Sequence, residues 1–274
     1  MRINSNIAAL NASRNLSVTQ SQLGKSLEKL SSGYRINRAA DDAAGLAISE
    51  GLRSEIRGSA QAQRNAQDGI SFLQTAEGAL TEVHSMLQRM RELAVQAANS
   101  TSDGSAEGGE VAELAKEITA IGARTKFSGI SVFSDFSTTA LNFQVSSNAA
   151  TAEQVSININ LSLAATSVGG VDLTAVDLST DTGAQTALTN LDTAIKSVST
   201  TRATLGSVQN RLEHTVANLG VAVENLTASE SRIRDVDMAD EMVTYTRNSI
   251  LSQAGTAMLA QANQVPQSIL QLLR

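Results

Sequence analysis

The residue types that carry most protein chemistry are sparse in this chain. Cysteine is absent, which excludes disulfides and thiolate metal sites. His84 and His214 are the only histidines, and no His-Glu-x-x-His run exists, so an embedded zinc-protease centre is excluded and no metal is expected. Gly24-Lys25-Ser26 matches the end of a phosphate-binding loop, but Thr19 stands where the first glycine is required, and the segment lies inside an amphipathic helical pattern. Asp41 and Asp42 are adjacent, so on a helix their side chains diverge. No His or basic cluster joins them, and helix capping or a polar contact between copies is the better reading. Asn-x-Ser/Thr triplets occur at Asn11, Asn15, Asn99, Asn160 and Asn225, mostly in helical pattern, and read as chance, while O-linked modification of the middle segment is an expectation. No catalytic residue and no cofactor is expected.

What remains is adhesion by apolar side chains at helical spacing. One series runs Leu73, Ala76, Leu80, Val83, Leu87, Met90, Ala94 and Ala97, in alternating steps of three and four. A second runs from Leu188 through Leu191, Ile195, Val198, Leu205, Leu212, Val216, Leu219, Val223, Leu226 and Ile233, interrupted mainly by Arg202 and Gln209. Both termini repeat the pattern. Ile3, Ile7, Leu10, Leu16, Leu23, Leu27 and Leu30 mark the first arm, and Leu251, Met258, Ala262, Val265, Ile269 and Leu272 mark the last.

These patterns require long helices to position them. The spacing predicts a helix over residues 1 to about 31, a break at Ser31-Ser32-Gly33, a long helix from about Ala43 to Ala98, and a shorter one through Val111, Leu114, Ile118 and Ile121. Between about Phe127 and Ser179 the period falls to two: Leu141, Phe143 and Val145, then Val155, Ile157, Ile159, Leu161 and Leu163, alternate with polar residues. Strands follow, with a turn at Gly169-Gly170. This insert is too short for an independent domain. The strongest seam, Gln185 to Ser229, corresponds to a helix of roughly 65 Å. A flexible joint is expected over Glu230 to Asp240, and Pro266 is expected to kink or fray the last helix.

The expected fold is mainly α: a long antiparallel helical hairpin or coiled coil with a small β-rich insert at its far tip, and terminal helices pairing in a separate layer. The expected divisions are residues 1–43 and 230–274 as the two arms of an inner layer, 44–126 and 183–229 as the halves of the hairpin, and 127–182 as the insert. Aromatics are only 3% of the 274 residues and tryptophan is absent, thin filling for a wide core, so long narrow packing suits the composition. A net charge of -6 argues against nucleic acid or an anionic membrane as partner. No run reaches the roughly 18 apolar residues of a membrane span, and no signal-peptide core is evident. Isolated arms of this kind are marginal, so folding on assembly is expected.

Several runs then resemble one family. Met1-Arg-Ile-Asn-Ser-Asn-Ile-Ala-Ala-Leu10, Leu30-Ser-Ser-Gly-Tyr-Arg-Ile-Asn37, Asp41-Asp-Ala-Ala-Gly-Leu-Ala-Ile48 and Gln67-Asp-Gly-Ile70 resemble the N-terminal region of bacterial flagellin. Ser231-Arg-Ile-Arg-Asp-Val-Asp-Met-Ala-Asp240 and the stretch from Leu259 to Arg274 resemble its C-terminal region. Large outer domains are missing, so the resemblance is to a minimal flagellin. Tyr34 stands where Leu is usual, Arg234 where an acidic residue is common, and Met90 where Val is often seen.

The resemblance implies a secreted subunit of the extracellular flagellar filament, exported through the type III apparatus and polymerising with itself for swimming. Self-assembly would rest on Ile3, Ile7, Leu10, Leu23, Leu27, Leu30, Leu251, Met258, Val265, Ile269 and Leu272. Further implied partners are an export chaperone on the C-terminal arm, the filament cap and the hook-junction proteins. Gln88 to Gln96 is similar to the stretch recognised by Toll-like receptor 5, which would assign Arg89, Leu93 and Glu117 to that contact. A hook-filament junction protein is the near alternative, and a soluble coiled-coil adaptor the distant one.

Overall fold

A computed structural model of the chain describes residues 6–99, 104–133, 141–147, 154–157, 161, 163, 168–174 and 176–272, with side chains described through residue 264. In order the elements are α1 (Ile7–Ser32), α2 (Ala43–Ala97), α3 (Ser105–Arg124), β1 (Lys126–Phe127), β2 (Ile130–Ser131), β3 (Leu141–Gln144), β4 (Gln154–Ile157), α4 (Asp181–Arg234) and α5 (Met238–Leu272). They form two compact units: residues 1–56 with 224–274, and residues 57–223. Both α2 and α4 contribute to each unit.

In the 57–223 unit the alternating positions of α2 do what their spacing requires. Leu73, Ala76, Leu80, Val83, Leu87, Met90, Ala94 and Ala97 are all buried, together with Leu191, Val198, Leu205 and Leu212 of α4 and Val111, Ala115 and Ile118 of α3. The pairing of α2 with α4 is antiparallel: Arg91 meets Asp192, Glu77 meets Arg202, and Gly69 faces Leu212, so positions rise on one helix as they fall on the other. Arg202, which interrupts the apolar series, is satisfied there. Its Nε and Nη2 both donate to Glu77 Oε1, at 2.9 and 2.7 Å.

The insert does not sit at the far tip of the hairpin. β3 and β4 pair antiparallel, Leu141 opposite Ile157 and Phe143 opposite Val155, and they lie along α2. Asn65 Nδ2 donates to the Gln144 carbonyl at 3.0 Å, and the Phe72 ring meets Phe143 at 6.2 Å. The physical reason is the aromatic pair itself: Phe72 is 1% exposed and also makes an edge-on contact with Phe127 at 5.9 Å, so one α2 side chain anchors both hairpins. A Cβ at Gly69 would stand 3.2 Å from Leu212 and 3.4 Å from Phe143, so the missing side chain lets β3 approach where α4 also packs. β1 and β2 join through Ser128 and Gly129, both at positive φ, 50° and 83°. Leu161 and Leu163 are buried outside any strand, and the expected strand residue Ile159 lies outside the described residues. The expected turn at Gly169-Gly170 closes a bridge between Val168 and Val171.

In the other unit α1 begins where Asn6 Oδ1 accepts from the Ala9 amide at 3.2 Å, and ends where Gly33 turns left-handed, its amide returning to the Lys29 carbonyl at 2.8 Å. Asp42 Oδ1 accepts from the Gly45 amide and Asp41 Oδ2 from the amides of Asn37 and Arg38, so both carboxylates serve the turn that starts α2. These amides, that of Arg38 foremost, hold Asp41 below the usual carboxylate range. Within the joint expected over residues 230–240, the break between helices spans only Asp235 to Asp237. α4 runs on to Arg234, and Asp237 caps α5 by accepting from the Ala239 amide at 2.9 Å. α5 continues past Pro266 to Leu272.

Candidate assembly surface

The terminal helices α1 and α5 pack on each other. Asn6 Nδ2 donates to the Ala262 carbonyl at 2.7 Å, Leu16 lies against Gly255, and Lys29 reaches Glu241 at 3.9 Å, so the pair is antiparallel. Its seam is narrow. Leu16, Leu23 and Leu30 of α1, spaced by seven, are half-buried, and the α5 side is built from Tyr245, Asn248, Ser252, Gly255 and Leu259. The small residues Ser252 and Gly255 bring the backbones together but remove little apolar area from water.

The consequence is an imbalance between the two units. Among the described residues Ile36 is the one large or small apolar side chain of this unit that is fully buried. By contrast, among the described residues every large apolar side chain left exposed belongs to it, except Val95, Ile130 and Val221. Ile7 and Leu10 are 65% and 61% exposed, and Ile250 and Met258 are 60% and 67% exposed. Met242, Val243, Ile250 and Leu251, with Thr246 and Arg247, line an open apolar groove of about 470 Å³ on α5.

The structure therefore sorts the residues expected to drive self-assembly. Ile7, Leu10, Leu27, Leu251 and Met258 are exposed, while Leu23 and Leu30 face α5 within the same chain. Ile3 lies outside the described residues, and Val265, Ile269 and Leu272 lie on α5 with side chains outside them. Met242, Val243 and Ile250 lie outside the series read from Leu251, although Val243 and Ile250 are seven apart and Ile250 lies two turns beyond Met242.

Beside this surface the chain crossing from α1 to α2 is stapled to the joint between α4 and α5. The Arg35 amide donates to the Arg234 carbonyl at 2.6 Å, the Val236 amide to the Gly33 carbonyl at 3.0 Å, and Tyr34 bridges Asp235. The Arg234 guanidinium stacks 4.8 Å from the Tyr34 ring centroid and donates to Glu50 Oε1 at 2.8 Å. Glu50 also accepts from Arg53 at 2.9 Å, and these donors, Arg234 first, hold its carboxyl below the usual range. Tyr34 and Arg234 are thus in contact with each other.

The three residues assigned to an innate receptor are not gathered into one exposed patch. Arg89 is exposed, but Leu93 is 3% exposed in the hairpin core, and Glu117 is engaged by Arg124 at 2.7 Å. The carboxylate beside Arg89 is Glu110, at 2.9 Å, and this contact raises the guanidinium above its ordinary pKa. Nothing in the spacing of α3 alone distinguishes Glu110 from Glu113 or Glu117 before the register of α3 on α2 is known. Among the described residues no group of acidic residues and histidines is arranged to hold a metal ion, and no helix is long and apolar enough to cross a membrane.

The pattern of the bacterial flagellin N-terminal helical region matches residues 3–138, and that of the C-terminal helical region matches residues 188–273. The flagellin of Halalkalibacterium halodurans is 53% identical over 277 residues, covering the whole of both chains. That of Bacillus subtilis is 52% identical over 306 residues, again covering both. The crystal structure of Bacillus cereus flagellin is 31% identical, covering 57% of this chain and 88% of that one, with a TM-score of 0.47. On the sequence matches, which run from end to end, this chain belongs to the bacterial flagellins and is a structural subunit of the flagellar filament.

Proposed function

We propose that the exposed apolar rows of α1 and α5 are the surfaces through which copies of this flagellin join, with the α2–α4 hairpin as the rigid body they carry. The observation behind this reading is the imbalance of burial: a packed core in one unit, and in the other a paired helix layer that leaves Ile7, Leu10, Leu27, Ile250, Leu251 and Met258 exposed. Before polymerisation the same α5 groove, Met242 to Leu251, would need cover, and an export chaperone is the partner it fits. Delivery through the type III export apparatus, contact with the filament cap and with the hook-junction proteins, and a final position outside the cell follow from the same role. Recognition by Toll-like receptor 5 through Arg89, Leu93 and Glu117 belongs to the same reading, with Arg89 and Glu117 exposed and Leu93 beneath them. The role is mechanical, without catalysis.

The test is deletion of residues 251–274 from the full chain. The truncated protein should keep the melting transition of the 57–223 unit, form no filaments by electron microscopy, and bind the chaperone more weakly. Filaments of normal length from the truncated chain would overturn the reading.

A further inference from the structure

Beyond its role in joining copies, the exposed surface of α5 has a chemical character that the rest of the chain lacks. Met238 and Met242 lie one turn apart on α5 and Met258 lies on another side of the same helix, and the three are 48%, 49% and 67% exposed. Met90, in the hairpin core, is 0% exposed, and Met86 is packed against that core. With no cysteine in the chain, thioethers are its most readily oxidised groups. Among the described residues the accessible ones are therefore concentrated on the helix whose outer surface the proposed assembly would cover.

We propose that these exposed methionines are sites of reversible sulfoxidation, and that their oxidation blocks polymerisation of the free subunit. The reaction takes a two-electron oxidant of the peroxide class. The thioether sulfur attacks the distal oxygen, the O–O bond breaks, an S–O bond forms, sulfur loses two electrons and the peroxide leaves as water. A dithiol reductase returns the sulfoxide to thioether, forming a disulfide in the reductase and water. The product matters because a flexible apolar side chain becomes a strongly dipolar one. Met242 lines the groove with Val243, Ile250 and Leu251, and the hydroxyl of neighbouring Thr246 already donates to the Met242 carbonyl at 2.8 Å. Burying a sulfoxide dipole against apolar side chains such as Val243, Ile250 and Leu251 costs more than burying the thioether, and this opposes association.

The inference rests on the assembly reading, and the experiment separates the two. Monomeric full-length protein is treated with graded hydrogen peroxide, oxidation is assigned by peptide mass spectrometry, and the critical concentration for filament growth is measured. Oxygen should appear on Met238, Met242 and Met258 well before Met90. The critical concentration should rise about tenfold or more, since one desolvated polar group without a partner outweighs a factor of ten. Methionine sulfoxide reductase should restore growth. The M238L/M242L/M258L protein, which keeps the surface apolar, should polymerise and be indifferent to peroxide. Peroxide added to filaments already formed should spare all three residues. An unchanged critical concentration for the oxidised chain, an equal loss in the triple-leucine protein, or oxidation in filaments at the monomer rate would each overturn the proposal. An untreated chain that never polymerises would overturn the assembly reading itself, and this proposal with it.

Discussion

Consider the replacement of Ile250 and Leu251 by serine. In the lone chain these side chains are 60% and 50% exposed, so half or more of the apolar area that each could bury is still in water. Full burial of such a side chain contributes about 1.5–3 kcal/mol, which leaves roughly 1–1.5 kcal/mol per residue to be gained when another copy covers it. Losing both gains removes about 2–3 kcal/mol from each subunit addition, and every 1.4 kcal/mol is a factor of ten. The critical concentration for growth should therefore rise about 30- to 100-fold. The monomer should hardly notice, because surface substitutions of this kind stay within about 0.5 kcal/mol and serine costs an isolated helix little. The assay is pelleting of filaments across a concentration series, with a circular-dichroism melt of the same samples kept below the growth threshold. A large drop in the melt with unchanged pelleting would refute the reasoning, since it would place these side chains in the fold of the single chain.

Other substitutions address the remaining parts of the structure. Leu212→Ala removes a side chain that is 0% exposed and packs against Gly69, and should cost about 2–5 kcal/mol in the melt of the 57–223 unit. Glu77→Ala strands Arg202 at a site where both partners are about a third exposed, and should cost about 1 kcal/mol, less in high salt. Glu50 has its folded-state pKa depressed by Arg234, so its contribution is present above the unfolded value and is lost as pH falls through the lower folded one. Acidification below the ordinary carboxylate range should loosen the Tyr34–Arg234 staple, seen as a shift of the Tyr34 ring resonances that Glu50→Gln makes pH-independent.

Much of the hairpin was legible because one physical signal dominates it. The unbroken three-four alternation from Leu73 to Ala97 admits a single buried line, and burial follows it residue by residue. The arms were less legible, because the half-buried Leu16, Leu23 and Leu30 and the exposed Ile7, Leu10 and Leu27 merge into a single series when read along the sequence. Only the position of α5 separates the inner row from the outer one. The place of the insert was not legible at all from period-two alternation: Phe72 reads as one more apolar residue beside Leu73, and its role as anchor appears once Phe127 and Phe143 arrive from distant sequence. The contacts of the joint are hidden from the sequence for a similar reason. Arg234 and Asp235 look like a polar interruption, yet the backbone bridge to Tyr34 and the salt link to Glu50 come from the other end of the chain.

The central claim is that the terminal helices find their apolar cover in neighbouring copies. Amide hydrogen exchange followed by peptide mass spectrometry, on monomer and on filament, tests it most directly. The account predicts that α1 and α5 exchange far faster than α2 through α4 of the 57–223 unit in the monomer, and become as slow as that unit in the filament. Equal and slow exchange along α1 and α5 in the lone chain would contradict it.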